Sequence, residues 1–316
     1  MHTIKKDLQL PSQTLKLQGK TRTLTAAKWT ETALGYVFLF PSLLLFGIFL
    51  FYPLVQSVYL SLHETDPRGR VASFVGLDNF VAIFTSERFY KSLEVTGLFT
   101  LLTVPTGIAL ALLLAALTHN HLKGMRIFQF VFSLPVVLSV GTSAVIWMML
   151  FHPSVGMLNY MLSLVGLEPV AWLTDPRWAL LSVSMMTVWM NLGFNYIVLL
   201  SGLQSVPEEI YDSAKIDGSG PFRTFVQIIM PLLSPTVFFV TIVSIIGAFQ
   251  SFGQIHILTK GGPVNATDVL VYSLYQDAFI NFRFGTGSAQ AIVLFVLILL
   301  LTVVQFKAFE RNVHYQ

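Results

Sequence analysis

Six stretches of this chain, residues 32–60, 95–117, 127–151, 178–203, 232–255 and 284–306, contain no Asp, Glu, Lys or Arg. Crossing a hydrocarbon core takes about 20 mostly apolar residues in a helix, and each stretch meets that length. A bilayer core holds no water to satisfy free N–H and C=O groups, so each stretch must close its own backbone hydrogen bonds as a helix. The sequence therefore predicts an all-α polytopic membrane protein with six transmembrane helices. Only 11% of the 316 residues are charged, where a soluble domain carries about 25%. Pro41, Pro53, Pro105 and Pro135 lie inside or near the ends of these runs and predict kinks. With no cysteine, disulfides, thiolate metal sites and thiol catalysis are excluded together, and a net charge of +3 is too small and too dispersed to call for nucleic acid.

The distribution of Lys and Arg sets the expected orientation. With the N-terminus inside, the inner segments hold Lys5, Lys6, Lys16, Lys20, Arg22, Lys28, Lys123, Arg126, Lys215, Arg223, Lys307 and Arg311. The outer segments hold Arg68, Arg70, Arg88, Lys91, Arg177, Lys260 and Arg283, twelve against seven. That bias predicts both termini on the cytoplasmic side, N-in and C-in. Residues 1–30 are polar and lack a cleavable leader pattern, which predicts a cytoplasmic tail with a surface helix near residues 24–32. Residues 31–316 form the membrane domain.

On that topology the polar segment 205–235 is cytoplasmic. Ser205 and Glu208 have capping-box spacing, with Pro207 in the first turn. Glu208, Glu209 and Asp212 crowd the positive end of the helix dipole. Val206, Ile210 and Ala214 make a narrow apolar edge at four-residue intervals. Asp217-Gly218 predicts a left-handed stop, Pro221 opens a second helical piece, and Pro231 and Pro235 mark entry to the next apolar run.

The succession Asp212-Ser213-Ala214, Gly218, Ile228 and Met230-Pro231 resembles the "EAA…G…I-LP" loop of ABC-importer permeases. Asp212 stands for the Glu, Ser213 for the first Ala and Met230 for the Leu. Three further segments resemble elements of the carbohydrate-uptake permeases in the same order: Gly76-Leu77-Asp78-Asn79-Phe80, then Gly156, Leu158-Asn159 and Trp172–Asp175, then Thr259 to Thr267 around Gly261-Gly262-Pro263. With the C-terminal run from Thr302 to Gln316, the likeness is strongest to the glycerol-3-phosphate type. The resemblance implies the type I ABC-importer transmembrane fold in a bacterial inner membrane. It implies that residues 205–231 seat in a groove of an ATPase, with Glu208, Glu209, Asp212, Ser213, Ala214, Asp217, Gly218, Ile228 and Pro231 as coupling residues. The implied partners are a second, homologous permease, two ATP-binding subunits that hold ATP and Mg, and an extracytoplasmic solute-binding protein docking on the outer segments. No cofactor is expected in this chain.

Uncharged polar residues in the spans are the candidates for a solute path. Asn191 and Asn195 are four apart with Tyr196 beside them, and Gln250 and Gln254 are four apart among Phe249 and Phe252. Amides beside aromatic rings suit a sugar or polyol, and they equally suit hydrogen bonds between helices. His119, His121 and His152 have no partner at ligand spacing and are expected to be interfacial, not metal-binding. No intramembrane charge offers a proton relay and no phosphate-binding loop is present, so the energy must come from a partner chain. The competing expectation is a secondary transporter or channel working alone on a small polar solute. Sugars, glycosides and glycerol 3-phosphate remain open as substrates.

Overall fold

The structure, a computed structural model, describes residues 21–119 and 124–310. Residues 1–20 of the expected 1–30 tail, His121 and Lys123, and the C-terminal residues 311–316 lie outside the described residues. The described residues divide into two compact units at the Gln56–Ser57 junction.

In the first unit, α1 (Thr21–Phe46) passes through a π-helical turn (Gly47–Phe51) into α2 (Tyr52–Ser61). The surface helix expected near residues 24–32 is the opening of α1, because no Gly or Pro interrupts the chain between Thr21 and Leu34. Leu34–Ser61 is apolar over 28 residues and long enough to span. The π turn contains Phe49, four residues before Pro53, where the proline ring would otherwise press on the carbonyl of the preceding turn.

The second unit begins inside α2 at Ser57 and continues into a hairpin of β1 (His63–Thr65) and β2 (Val71–Phe74), with His63 opposite Phe74. Then come α3 (Asp78–Phe84), α4 (Glu87–Thr118), α5 (Met125–Ser133), a 3-10 turn (Leu134–Val137), α6 (Val140–Leu150), α7 (Met157–Leu164) and α8 (Pro176–Gln204). The remainder is α9 (Glu208–Ile216), α10 (Pro221–Thr224), a π turn (Phe225–Ile229), α11 (Met230–Phe249), α12 (Gly253–Leu258), α13 (Leu270–Tyr275), a π turn (Gln276–Ile280) and α14 (Phe284–Glu310). Gln227 lies inside the Phe225–Ile229 π turn, four residues before Pro231, which repeats the arrangement at Pro53.

Among the described residues five helices are long and apolar enough to cross a membrane, and a bent pair makes six if it counts as one span. The third expected span is not one straight helix: Met125–Val137 and Val140–Leu150 meet at 106°. Pro135 sits in the 3-10 turn, and Ser139 has extended backbone with its side chain accepting from Thr142 N–H at 3.2 Å, so α6 starts afresh. The bend lies directly on α8 at Gly193, where a Cβ would come within 2.7 Å of Val136 N and 2.8 Å of Ser133 O.

The fifth span is also displaced. It runs from Pro221 to Phe249, earlier than the expected 232–255. Helix α11 ends where Gln250 and Ser251 interrupt the apolar run, and α12 begins at Gly253, tucked against Val140 at 2.9 Å from a would-be Cβ to Cγ1. Gln250 and Gln254 consequently do not share a helix face, which corrects the four-residue spacing argument.

Helix α8 packs along α4, with α11 against both. On α4 the small side chains Gly107, Ala111 and Ala115 recur every four residues and are buried, allowing close approach of the two helices. Near one end of α8 the core gathers Ala111, Ala115, Tyr196, Leu199, Leu203, Ile229 and Leu233. Towards the other end Val95, Phe99, Val183, Met186, Ile255 and Tyr272 form a second cluster. The loop carrying α9 closes the first of these ends.

A candidate coupling loop and candidate solute path

Helix α9 follows α8 after Ser205, Val206 and Pro207. The capping box does not form: Ser205 turns its hydroxyl back to Gly202 O at 2.7 Å, closing α8, and the N-cap of α9 is Pro207 with no side-chain cap. So short a link leaves Ser205 no room to serve the next helix. The other end of α9 is built as the sequence predicts. Gly218 takes φ +72°, Gly218 N–H donates to Lys215 O at 3.1 Å and Ser219 N–H to Ala214 O at 2.9 Å, the paired bonds of a Schellman terminus.

Two faces of this loop have different uses. Ala214 is buried and Val206, Ile210, Tyr211, Phe225 and Ile228 pack against the cluster around Leu203, Ile229 and Leu233. Tyr211 also stacks on His119 with ring centroids 5.7 Å apart, and burial pushes its phenol above the ordinary range. Glu208, Glu209, Asp212, Ser213, Lys215, Asp217, Gly218 and Pro231 are exposed. Asp212 accepts from Lys215 Nζ at 2.9 Å, and that hydrogen bond raises the lysine pKa. Ile216 and Phe222 are 87% and 81% exposed, large apolar side chains at the tip of the loop that are not among the expected coupling residues. The signal was available: Ile216 lies off the edge defined by Val206, Ile210 and Ala214, and an apolar residue off the apolar edge needs another partner.

The seven candidate path residues separate into two groups. Asn195 is buried and accepts from Ser244 Oγ at 3.4 Å, Tyr196 is buried with its hydroxyl 2.6 Å from Thr118 Oγ1, and Gln254 is buried and donates to Thr187 Oγ1 at 3.4 Å. These are bonds between helices. Phe249 is buried in a core with Ile83, Phe89, Leu270, Ala289 and Leu294. Asn191 and Gln250, by contrast, are exposed on α8 and at the end of α11. Phe252 is half-buried and shares a ring cluster with His256, Tyr272 and Tyr275 at centroid distances of 4.8 to 5.8 Å from its own ring.

At the end of the bundle opposite α9, three segments are pinned by single polar side chains. Asn79 donates to Ser61 O at 2.9 Å and His63 O at 3.1 Å and accepts from Thr286 Oγ1 at 3.4 Å, joining the hairpin to α14. Asn159, buried, donates to Pro153 O and Val170 O, and accepts from Val170 N–H and Trp172 Nε1–H, all at 2.9 to 3.0 Å. Arg88, at the start of α4, donates to Asp268 Oδ2 at 3.0 Å and to Gln276, while Gln290 donates to Asp277 Oδ2 at 2.7 Å. Desolvation pushes the Asp268 carboxyl above its ordinary value, against the pull of Arg88. His152 Nδ1 accepts from Ser154 and Val155 N–H, and among the described residues no group of three or more His, Asp or Glu could hold a metal.

Residues 82–315 match the family model described as the binding-protein-dependent transport system inner membrane component. The chain is 36% identical over 285 residues to the sn-glycerol-3-phosphate transport system permease protein UgpA of Agrobacterium fabrum, covering 89% of this chain and 96% of that one. It is 35% identical to the protein of the same name from Yersinia enterocolitica, covering 90% and 96%. A chain of a bacterial ABC transporter involved in the import of the acidic polysaccharide alginate superposes with a TM-score of 0.81 at 25% identity, over 93% of this chain and all of that one. A chain of the bacterial alginate transporter in complex with an alginate pentasaccharide-bound periplasmic protein gives 0.80 at 24% identity, over 90% and 96%. The chain belongs to the family of inner membrane components of binding-protein-dependent transport systems.

Proposed function

We propose that this chain is a permease subunit of an ATP-driven importer for a sugar or a glycerol derivative. The observation that carries the coupling role is the α9 loop, which buries one apolar edge in the bundle and holds Ile216 and Phe222 out beyond it. In this reading the loop end is cytoplasmic, both termini lie inside, and Ile216 and Phe222 enter a groove on an ATP-binding subunit. Two such subunits hold ATP and Mg, a second permease completes the path, and a solute-binding protein docks on the outer segments. The names of the relatives support glycerol 3-phosphate as one candidate solute, and the alginate importers support a saccharide.

Within the membrane, Asn191 and Gln250 face the path, because exposed amides in a bilayer require a polar partner or a water-filled cavity. Asn195, Tyr196 and Gln254 brace the helices that carry them. Closure of the ATPase pair displaces α9 and rocks the spans between inward- and outward-open states. Proteoliposomes holding the chain with its copurifying partners should accumulate solute only with ATP and a loaded binding protein. Flux through this chain alone without nucleotide would establish the solitary transporter instead, and labelling of Lys215 from the external side would reverse the orientation.

A further inference from the structure

Helix α8 exposes Asn191, Phe194, Ile197, Ser201 and Gln204 on the side away from its buried residues. Towards its α9 end this stripe is flanked by two cavities that both include Ile197 and Ser201. One, of about 570 Å³, lies towards Thr236 and Phe239 of α11. The other, about 390 Å³, lies between α8 and α5 and is lined by Arg126, Gln129, Ser133, Ser201 and Gln204 with an apolar wall of Phe130 and Leu200. That size falls within the range of small-molecule sites, about 300–1,000 Å³.

The donors in the smaller cavity are unequally committed. Gln129 gives its amide N–H to Thr118 O at 2.7 Å, and Ser133 its hydroxyl to Phe130 O at 2.8 Å. Arg126 is exposed and, among the described residues, has no hydrogen-bond or ion-pair partner, and the same holds for the side chains of Ser201 and Gln204. Among the described residues no Asp or Glu lines either cavity. A guanidinium fork with two neutral donors, on an apolar wall and with no competing carboxylate, is a receptor for a tetrahedral oxyanion.

We propose that this cavity binds the phosphate group of a phosphate ester, with Arg126 as its charged anchor and Ser201 and Gln204 as neutral donors. Resting on the importer reading above, the site is where a phosphorylated solute pauses before release at the α9 end of the path. The same chemistry is offered by the headgroup of an anionic phospholipid lying against α5.

The test uses the complete complex in nanodiscs of phosphatidylcholine, without nucleotide or binding protein, so that it reads the cavity whether or not transport is ATP-driven. Labelled sn-glycerol 3-phosphate is titrated in, and Arg126→Gln should weaken its binding about tenfold or more, the loss of one charge-assisted hydrogen bond. Arg126→Lys should restore part of that affinity, and Ser201→Ala should cost less than Arg126→Gln. A second arm uses phosphatidylglycerol nanodiscs and counts phospholipids retained per complex by native mass spectrometry. A shift in the first arm identifies a soluble ester, and loss of retained lipid in Arg126→Gln identifies a headgroup. If neither quantity responds to Arg126→Gln in complexes of normal thermal stability, the site does not exist. Failure of ATP-dependent uptake by the unmodified complex would defeat the importer reading while leaving both arms interpretable.

Discussion

Replacing Gly218 separates two ways in which a coupling loop can fail. Gly218 holds φ +72°, and a Cβ built there meets nothing within 4 Å in this chain. Internally, then, the cost of a side chain is backbone strain alone, about 1–2 kcal/mol for an ordinary L-residue in the left-handed region. An energy of that size changes the population of the closed Schellman terminus by a factor of about 5–30. It falls on the bonds from Gly218 N–H to Lys215 O and Ser219 N–H to Ala214 O, leaving the spans untouched. Membrane insertion and thermal stability should therefore hold, while ATP-driven uptake and its coupling to hydrolysis fall.

A graded series distinguishes strain from steric exclusion by the ATPase. Asn tolerates the left-handed region better than Ala, and both better than Val, although Asn is larger than Ala. If the terminus must keep its shape, coupled uptake in proteoliposomes should rank Gly, Asn, Ala, Val. If the groove of a partner simply leaves no room, Asn should be worse than Ala. Full uptake by Gly218→Val would refute the assignment of this loop as the coupling element.

Replacing Ile216 and Phe222 by Ser should loosen association with the ATPase by tenfold or more per side chain, since burying a large apolar group is worth about 1.5–3 kcal/mol, and this is read as loss of copurifying ATPase at unchanged permease yield. Asn159→Ala leaves the half-buried Val170 N–H and O and the buried Trp172 Nε1–H without their partner and should cost about 3 kcal/mol, seen as a clear fall in melting temperature, with Asn159→Asp intermediate because it keeps the acceptor. Asp268 is raised in the folded protein, so in the window just above 3.8 the folded state keeps a proton that the unfolded state has lost. Its contribution to stability therefore falls as pH rises through that window, and Asp268→Asn should remove this component from the pH profile of the melting temperature.

The spans were legible because their signal is compositional, whereas the two departures from straight helices depend on contacts between segments. Pro135 marked a kink here, but Pro135, Val136, Val137 and Leu138 are as apolar as the helices they separate, so hydropathy did not show that the kink is a 106° break. What fixes the bend is Gly193, far along the chain, whose missing side chain admits the backbone of Val136 and Ser133. Gly218 was legible because its conformational demand is local. Ser205 has the right spacing for a capping box but a nearer carbonyl at Gly202, and local competition of that kind is decided by how the chain leaves α8. The four-residue spacing of Asn191 and Asn195 placed them on one face, yet the edge of the α8 interface passes between them, leaving Asn195 in the bundle and Asn191 outside it.

That edge matters for how force would travel. Three residues join α8 to α9, and Ile210 and Tyr211 of α9 pack against the core that holds Leu203 of α8 with Ile229 and Leu233 at the entry to α11. Gly202 lies under Leu233 and Thr236 so closely that a Cβ would approach their side chains to 2.6 and 2.8 Å. A displacement of α9 thus has no slack to take up in a linker, and it presses on α8 and α11 together. Farther along, Gly193 seats the bent third span on α8, and Asn195 is bonded across to Ser244 of α11. The close-packed faces of α8 are tied to their neighbours, and its exposed stripe from Asn191 to Gln204 is the face that, in the importer reading proposed above, is free to part from or meet a second permease. Packed interfaces of this kind shift between discrete arrangements and do not stretch, so the geometry favours rigid rocking of the bundle over unwinding of α8.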